Sequence, residues 1–169
     1  WRRPSWRRAT AARRSAMVGG RAASIAYLLL GPPDVADGLA PDWPALLVAL
    51  GVHSPTIEAH PPGGCWLALP AGRRQPAPDA QAAAIVEAAQ ELGFAGCCVG
   101  IAPTLGVARL AALRADAAPA ILAPSDVAAF LAPLPVGVLE LADDEARRLA
   151  LVGLHTLGAI AALPRGGLG

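Results

Sequence analysis

The sequence predicts an α+β fold followed by a compact helical segment, and three features of its 169 residues support this. Hydrophobic residues make up 54% of the chain and charged residues 16%, which excludes intrinsic disorder for most of it. Short apolar runs, typical of buried strands, alternate with runs of helical period that begin at capping residues. Up to Leu122 the predicted order is strand, helix, strand, strand, helix, strand, helix, strand, which indicates a ferredoxin-like sheet with helices on one face.

The first half of the predicted sheet comes from three apolar runs. Residues 24–30 are followed by Gly-Pro-Pro and suit a buried strand. Asp42 is placed to cap a short helix that runs to residue 50. Residues 56–59 and 65–69 are two further strands, and the Pro-Pro-Gly-Gly sequence between them predicts a turn over residues 60–64.

The second half of the sheet follows a polar, proline-bearing loop. Asp79 is expected to cap a helix through residue 92, because apolar residues recur there with a helical period and Gly93 follows. Residues 96–101 predict a strand, residues 104–113 a helix capped by Thr104, and residues 120–122 a last short strand.

The remaining residues predict short helices. Ser125 or Asp126 can cap a helix that ends at residue 131. Two more helices, over residues 143–152 and 156–163, are joined by a glycine-bearing turn. A turn of this kind places backbone N–H groups at a helix N-terminus, where they can bind phosphate without reading sequence.

Charge is distributed unevenly along the chain. Residues 1–21 contain seven of the fourteen arginines and no acid, so they carry +7, whereas the remaining residues carry −6. This basic arm predicts contact with nucleic acid or another anionic surface. The alternative is a solvated, disordered tail.

The cysteines and the hydropathy pattern favour a reduced, cytoplasmic protein. Cys65, Cys97 and Cys98 are odd in number, and two of them are adjacent, which is poor geometry for a disulfide. No Cys or His spacing fits a zinc site, so we expect no metal. The longest apolar run, residues 22–30, is too short to span a bilayer, and we expect no membrane partner.

Three collinear stretches resemble the Y-family (UmuC/DinB-like) DNA polymerases, the translesion enzymes, and the resemblance covers about residues 45–164. Residues 53–69 lie where that family has its palm hairpin, written S-x-D-E-A-[FY]-L-D. Residues 94–112, with GIAP and ARLA, are similar to the family's GIA-x-N-K-x-x-A-K-x-A. Residues 130–164, which end in LVGLHTLGAIAALP, are similar to the thumb helix-hairpin-helix LGI-x-T-[IV]-G-D-L-A-x-L-P. The resemblance implies a palm-like domain over residues 22–123 and a thumb-like segment over 124–169.

The departures from the family pattern indicate a non-catalytic member. Nucleotidyl transfer needs two divalent cations held by carboxylates. By the resemblance, the family's acid positions are occupied here by Gly63, Gly64 and Ala68, and the first strand contains no acid. We therefore predict no catalytic residue and no cofactor. Magnesium would be needed only if the chain were a fragment of an active polymerase.

The resemblance is nearest to the ImuB-like mutasome branch, because too few residues lie between Leu30 and Thr56 for a fingers domain. It implies an accessory scaffold in DNA damage-induced (SOS) translesion synthesis that binds DNA weakly and without sequence preference. The implied partners are DNA and, through regions beyond this chain, an error-prone replicative polymerase and the sliding clamp. The alternatives are a fragment of an active Y-family polymerase, an unrelated Ala-rich α+β interaction domain, and a decaying reading frame.

Several residues are predicted to contact DNA or phosphate. Arg109 replaces the family lysine that meets the triphosphate and keeps its charge. Arg147 and Arg148 flank the turn between the last two helices. Three acids at residues 143–145 of the same segment would repel DNA phosphates. The predicted DNA-binding residues are Arg109, Gly153, His155, Thr156, Gly158 and Arg165.

Overall fold

One mixed sheet forms the centre of the protein in the computed structural model, which describes residues 24–31, 42–60, 63–70, 72, 75–115 and 119–164. The strands of the described residues are β1 (Ile25–Leu29), β2 (Ile57–His60), β3 (Gly64–Ala68), β4 (Cys98–Ala102) and β5 (Ala120–Ile121). Their order in the sheet is β2-β3-β1-β4-β5. Strand β1 pairs antiparallel with β3 and β4, β2 pairs antiparallel with β3, and β4 pairs parallel with β5. The predicted α+β class and the predicted order of strands and helices are confirmed.

The helices lie where the periodicity predicts them, with ends displaced by one to three residues at most positions. A 3₁₀ helix over Val136–Leu139 was not predicted. The α-helices of the described residues are α1 (Trp43–Leu50), α2 (Pro78–Gln90), α3 (Leu105–Arg114), α4 (Val127–Leu131), α5 (Asp143–Leu151) and α6 (Leu157–Ala161).

The predicted cap of α1 is confirmed and that of α2 is wrong, whereas Thr104 and Asp126 occupy the cap positions of α3 and α4 without a side-chain hydrogen bond to the helix. The Asp42 side chain accepts a hydrogen bond from the Ala45 amide at 3.1 Å, and the Thr156 hydroxyl accepts one from the Ala159 amide at 3.2 Å. Asp79 is not a cap, because α2 begins one residue earlier, at Pro78. Proline is favourable there, since the first N–H groups of a helix have no partner within it.

The prediction of helices on one face of the sheet is wrong. In β1, Ala26 and Leu28 face a layer formed with α1 and α2, whereas Tyr27 faces a second layer formed with α3. Because side chains alternate across a strand, a strand that is apolar at every position must have both of its faces covered. The apolar run at residues 25–30 was already the signal for this.

A glycine in β4 lets α3 lie directly on the second face. A Cβ built at Gly100 would overlap the Ala108 carbonyl oxygen and the Ala112 amide nitrogen, and would lie 2.9 Å from the Ala111 Cβ. The three alanines are themselves buried. Small residues on both elements therefore bring the helix backbone into contact with the strand backbone.

The segment after the sheet is held largely by backbone hydrogen bonds. No residue of α4, α5 or α6 is fully buried, whereas Leu134 and Val136 are. The Val136 amide donates to the His155 carbonyl and the Leu157 amide donates to the Leu134 carbonyl, both at 2.9 Å. These bonds join the hairpin of α5 and α6 to the chain that precedes it.

No helix of the described residues combines the length and apolar composition needed to cross a membrane. The three cysteines, all of them among the described residues, form no disulfide. Cys65 is completely buried in the layer under α1 and α2, and burial raises the pKa of its thiol to about 12. Burial also raises the pKa of Cys97.

Stability is expected to fall as the pH rises above 9. The folded-state pKa of Cys65 lies above its ordinary value of 9.0, so the thiol of the unfolded chain ionises first. Its contribution to stability is complete below pH 9 and is lost as the pH rises toward 12. Denaturant titrations between pH 8 and 10.5 should show a loss on the order of 1 kcal/mol per pH unit above 9. Cys65→Ala should lose less over the same interval, and equal losses in both proteins would contradict this origin.

Candidate functional site

Three ring-bearing side chains share the sheet face on which α3 lies. Tyr27 pairs with Trp66 across β1 and β3, and His60 pairs with Gly64 across β2 and β3. Residues opposite each other in neighbouring strands, and those two positions away, point to the same face. The ring centroids of Tyr27 and Trp66 are 4.9 Å apart, as are those of His60 and Trp66. We call Tyr27, His60 and Trp66 the aromatic cluster.

The aromatic cluster fills the space beside Gly63 and Gly64, where the resemblance implies the family's carboxylates. A Cβ built at Gly64 would overlap the Leu28 carbonyl oxygen and lie 2.9 Å from the Tyr27 hydroxyl oxygen. Tyr27 is only 1% exposed, so its ring cannot move aside at low cost. A Cβ at Gly63 would lie 3.8 Å from the same hydroxyl, which is ordinary contact. Position 64 therefore excludes any side chain, whereas position 63 does not.

The residues present do not fit a two-magnesium site. Gly63, Gly64 and Ala68 supply no side-chain oxygen, and the only carboxylate that the strands contribute to this face is that of Glu58, opposite Trp66 across β2 and β3. Among the described residues, no three His, Cys, Asp or Glu side chains gather closely enough to hold a metal ion.

Arg109 projects from α3 toward the same face. Its Nη2 donates to the Glu140 Oε1 at 2.6 Å, and its guanidinium lies near enough to the Tyr27 hydroxyl for each to affect the pKa of the other. The hydrogen bond to Glu140 raises the pKa of Arg109, so the guanidinium stays charged. Burial raises the pKa of Tyr27, and the nearby Arg109 opposes that effect. Contact of Arg109 with a triphosphate stays a prediction, and in this structure a carboxylate already lies on the guanidinium.

The hairpin turn does not present the free amides that its glycines predicted. The Gly153 amide donates to the Ala150 carbonyl, and the Gly158 amide donates to the Ala132 carbonyl, both at 3.0 Å. On either side of Gly158, the Leu157 amide donates to the Leu134 carbonyl and the Ala159 amide donates to the Thr156 hydroxyl. The first three amides of α6, those of Leu157, Gly158 and Ala159, thus have partners within the chain, and backbone binding of phosphate at this turn stays a prediction.

Both glycines of the hairpin have structural reasons to be glycine. Gly153 has φ +77°, the left-handed conformation that ends α5. A Cβ at Gly158 would lie 2.9 Å from the Ala132 carbonyl oxygen, so the close approach of α6 to α4 requires its absence. His155 is exposed beside them.

The structure therefore places the predicted DNA-binding residues in two locations. Gly153, His155, Thr156 and Gly158 lie in one hairpin, whereas Arg109 lies on α3, which packs on the sheet. Arg165 lies outside the described residues. DNA binding by this set stays a prediction.

Sequence reasoning missed the aromatic cluster and Glu140. Tyr27 and Trp66 occur in correctly predicted strands, and the alternation of side chains could have placed them on one face. Their contact also needs the antiparallel pairing of β1 with β3, which one sequence does not specify. Glu140 offered no such signal, because it reaches Arg109 from 31 residues away.

The fold is similar to that of three solved structures of the DinB type. Over 86% of this chain it superposes on a DinB-family error-prone DNA polymerase from Sulfolobus solfataricus, with a TM-score of 0.62 and 15% identity. Over 73% of the chain it superposes on DinB from the same organism and on a Dbh ternary complex, each with a TM-score of 0.57 and 20% identity. At such identities the likeness shows the fold alone, which is Y-family-like.

The chain spans only 37% to 61% of the length of those three structures. No protein-family model matches the sequence, and no curated protein matches it.

Proposed function

We propose that the protein is a non-catalytic, Y-family polymerase-like accessory factor that acts on DNA as a scaffold in damage-induced translesion synthesis. The observation that carries the proposal is the packing of Tyr27 against Gly64. It occupies the space where the polymerase family needs a metal-binding carboxylate. A Y-family-like fold with this face filled keeps the architecture of a DNA-binding enzyme without the groups that transfer a nucleotide.

The DNA contact that we propose is weak and independent of sequence. One of the similar structures is a ternary complex, which supports substrate binding by this fold. On this chain the exposed cations of the hairpin, Arg147 and Arg148, would neutralise phosphates and release counterions. Asp144 lies 3.5 Å from Arg148 and competes for it, so the net attraction is small. An error-prone replicative polymerase and the sliding clamp are the further partners that we propose, through regions beyond this chain.

Primer extension tests the absence of catalysis. We expect no nucleotide incorporation on primed DNA with magnesium or with manganese, because within residues 24–31, 42–60, 63–70, 72, 75–115 and 119–164 no set of carboxylates gathers that could activate the 3′ hydroxyl. Incorporation that depends on the added metal would overturn the proposal and favour a fragment of an active polymerase. A Y-family polymerase run in parallel confirms that the substrates are competent.

Fluorescence anisotropy of labelled primed DNA across a salt series tests the DNA contact. We expect affinity to fall with salt, and Arg147→Gln to reduce the slope of log K against log salt by about one. Arg114→Gln is the matched control, because it removes the same charge from the exposed end of α3. Absence of binding at low salt would leave a protein-interaction domain as the better account. Equal effects of the two substitutions would remove the hairpin from the interface.

A further inference from the structure

The ion pair between Arg109 and Glu140 joins the sheet domain to the segment that follows it. Arg109 lies on α3, and Glu140 lies directly after the 3₁₀ helix. Their side chains meet at 2.6 Å and are 28% and 68% exposed. The guanidinium is thus partly covered, whereas its carboxylate partner is open to solvent and free to be replaced from that side.

Glu140 reaches Arg109 from an unfavourable backbone conformation. Its φ is +51° and its ψ +43°, and among the described residues no other non-glycine residue has a positive φ. Residues with a Cβ adopt this left-handed conformation uncommonly. The Glu140 amide donates to the Gly137 carbonyl at 3.2 Å, and the ion pair with Arg109 adds a side-chain contact from outside the 3₁₀ helix.

Arg109, in contrast, extends from α3, and its side chain is only 28% exposed. The guanidinium presents a planar set of donors that suits carboxylate and phosphate oxygens alike. Glu140 therefore occupies the position that a phosphate oxygen would take.

We propose that Glu140 is a built-in competitor for phosphate at Arg109. A phosphate group, from a nucleoside triphosphate or from the DNA backbone, displaces the Glu140 carboxylate and releases the segment after the 3₁₀ helix from α3. This inference rests on the proposed DNA-associated function and adds its regulation: the protein closes its own anion site until a ligand with several charges competes for it. An exposed ion pair contributes little stability, so such a ligand can replace one carboxylate.

Binding measurements on four variants test the competition. Labelled primed DNA is titrated at low salt by anisotropy, and inorganic tripolyphosphate by calorimetry, against wild type, Glu140→Gln, Arg109→Gln and the double variant. Glu140→Gln should raise affinity about two- to fivefold, the range that an exposed ion pair supplies. Arg109→Gln should abolish that gain in the double variant, as a coupled pair requires. Glu91→Gln controls for the loss of one negative charge, because Glu91 is exposed at the end of α2.

The ligand that shows the gain identifies the source of the phosphate. A gain with tripolyphosphate assigns a nucleotide-type site, and a gain with DNA alone assigns the DNA backbone. Hydrogen exchange supplies an independent readout: either ligand should increase exchange of residues 136–142 in wild type and should add nothing in Glu140→Gln. Unchanged exchange in wild type on binding would overturn the displacement.

The remaining outcomes separate this inference from the proposed function. Binding by wild type with equal affinities of Glu140→Gln and Glu91→Gln would overturn the competition and leave the function standing. A gain that persists without Arg109 would also overturn it. No binding by any variant would remove the proposed function, and the competition with it.

Discussion

Replacing Gly64 with glutamate is expected to destabilise the protein by more than about 3 kcal/mol and to restore no polymerase activity. The substitution supplies the acid that the resemblance implies at this position. Its Cβ would overlap the Leu28 carbonyl oxygen, which belongs to the central strand, and press on the buried ring of Tyr27. Neither neighbour is the free end of a flexible side chain, so the sheet itself must deform.

Gly63→Asp is the matched control, since it introduces an acid at the adjacent position with ordinary contacts only. Denaturant titrations should show a cost within about 1 kcal/mol for this variant, as for most substitutions without a clash. If Gly64→Glu proved as stable as Gly63→Asp, Tyr27 would have to leave its position, and the main argument against a carboxylate site would fail. Primer extension by Gly63→Asp should stay at the background level.

The sequence predicted the sheet well because its strands are short apolar runs separated by glycine and proline. Residues 24–30 show both the success and the error. Their apolar composition correctly predicted a central strand, yet the same composition means that two faces are buried, which the expectation of a one-sided helix layer overlooked.

The helix caps show where local reasoning ends. Asp42 and Thr156 cap helices because the bond closes within three residues, which the sequence displays. The amides of Leu157 and Gly158 are instead satisfied by the carbonyls of Leu134 and Ala132, more than twenty residues earlier. No local sequence pattern predicts such a long-range hydrogen bond, so the sequence could not show that these two amides already have partners.

The candidate site was only partly visible for the same reason. Arg109 was identified through the family resemblance, and its charge is present as expected. The partners that determine what this charge can do come from β1 and from the segment after the 3₁₀ helix. Those partners depend on strand pairing and on the left-handed backbone of Glu140, which are consequences of the fold.

Gly100→Ala is expected to destabilise the protein as much as Gly64→Glu does. Here the clash is with α3, the helix that covers the same face of the sheet. The added methyl group would overlap the backbone of α3 at two atoms, so the helix must move off the sheet. Overpacking against backbone costs about 1–3 kcal/mol or more, and here the displaced helix also loses its buried alanine contacts. We expect a loss of more than about 3 kcal/mol by denaturant titration.

Gly106→Ala provides the contrast within α3 itself. Nothing lies within 4 Å of a Cβ at Gly106, so the substitution should stabilise the helix by about 0.5–1 kcal/mol.

Gly100→Ala also tests whether the packing of α3 on the sheet positions Arg109, because α3 carries that residue. Where Gly100→Ala remains folded, the displaced helix should separate Arg109 from Tyr27 and Glu140. Glu140→Gln should then no longer change phosphate affinity in that background. A Gly100→Ala protein of wild-type stability would mean that α3 does not rest on β4 through this glycine.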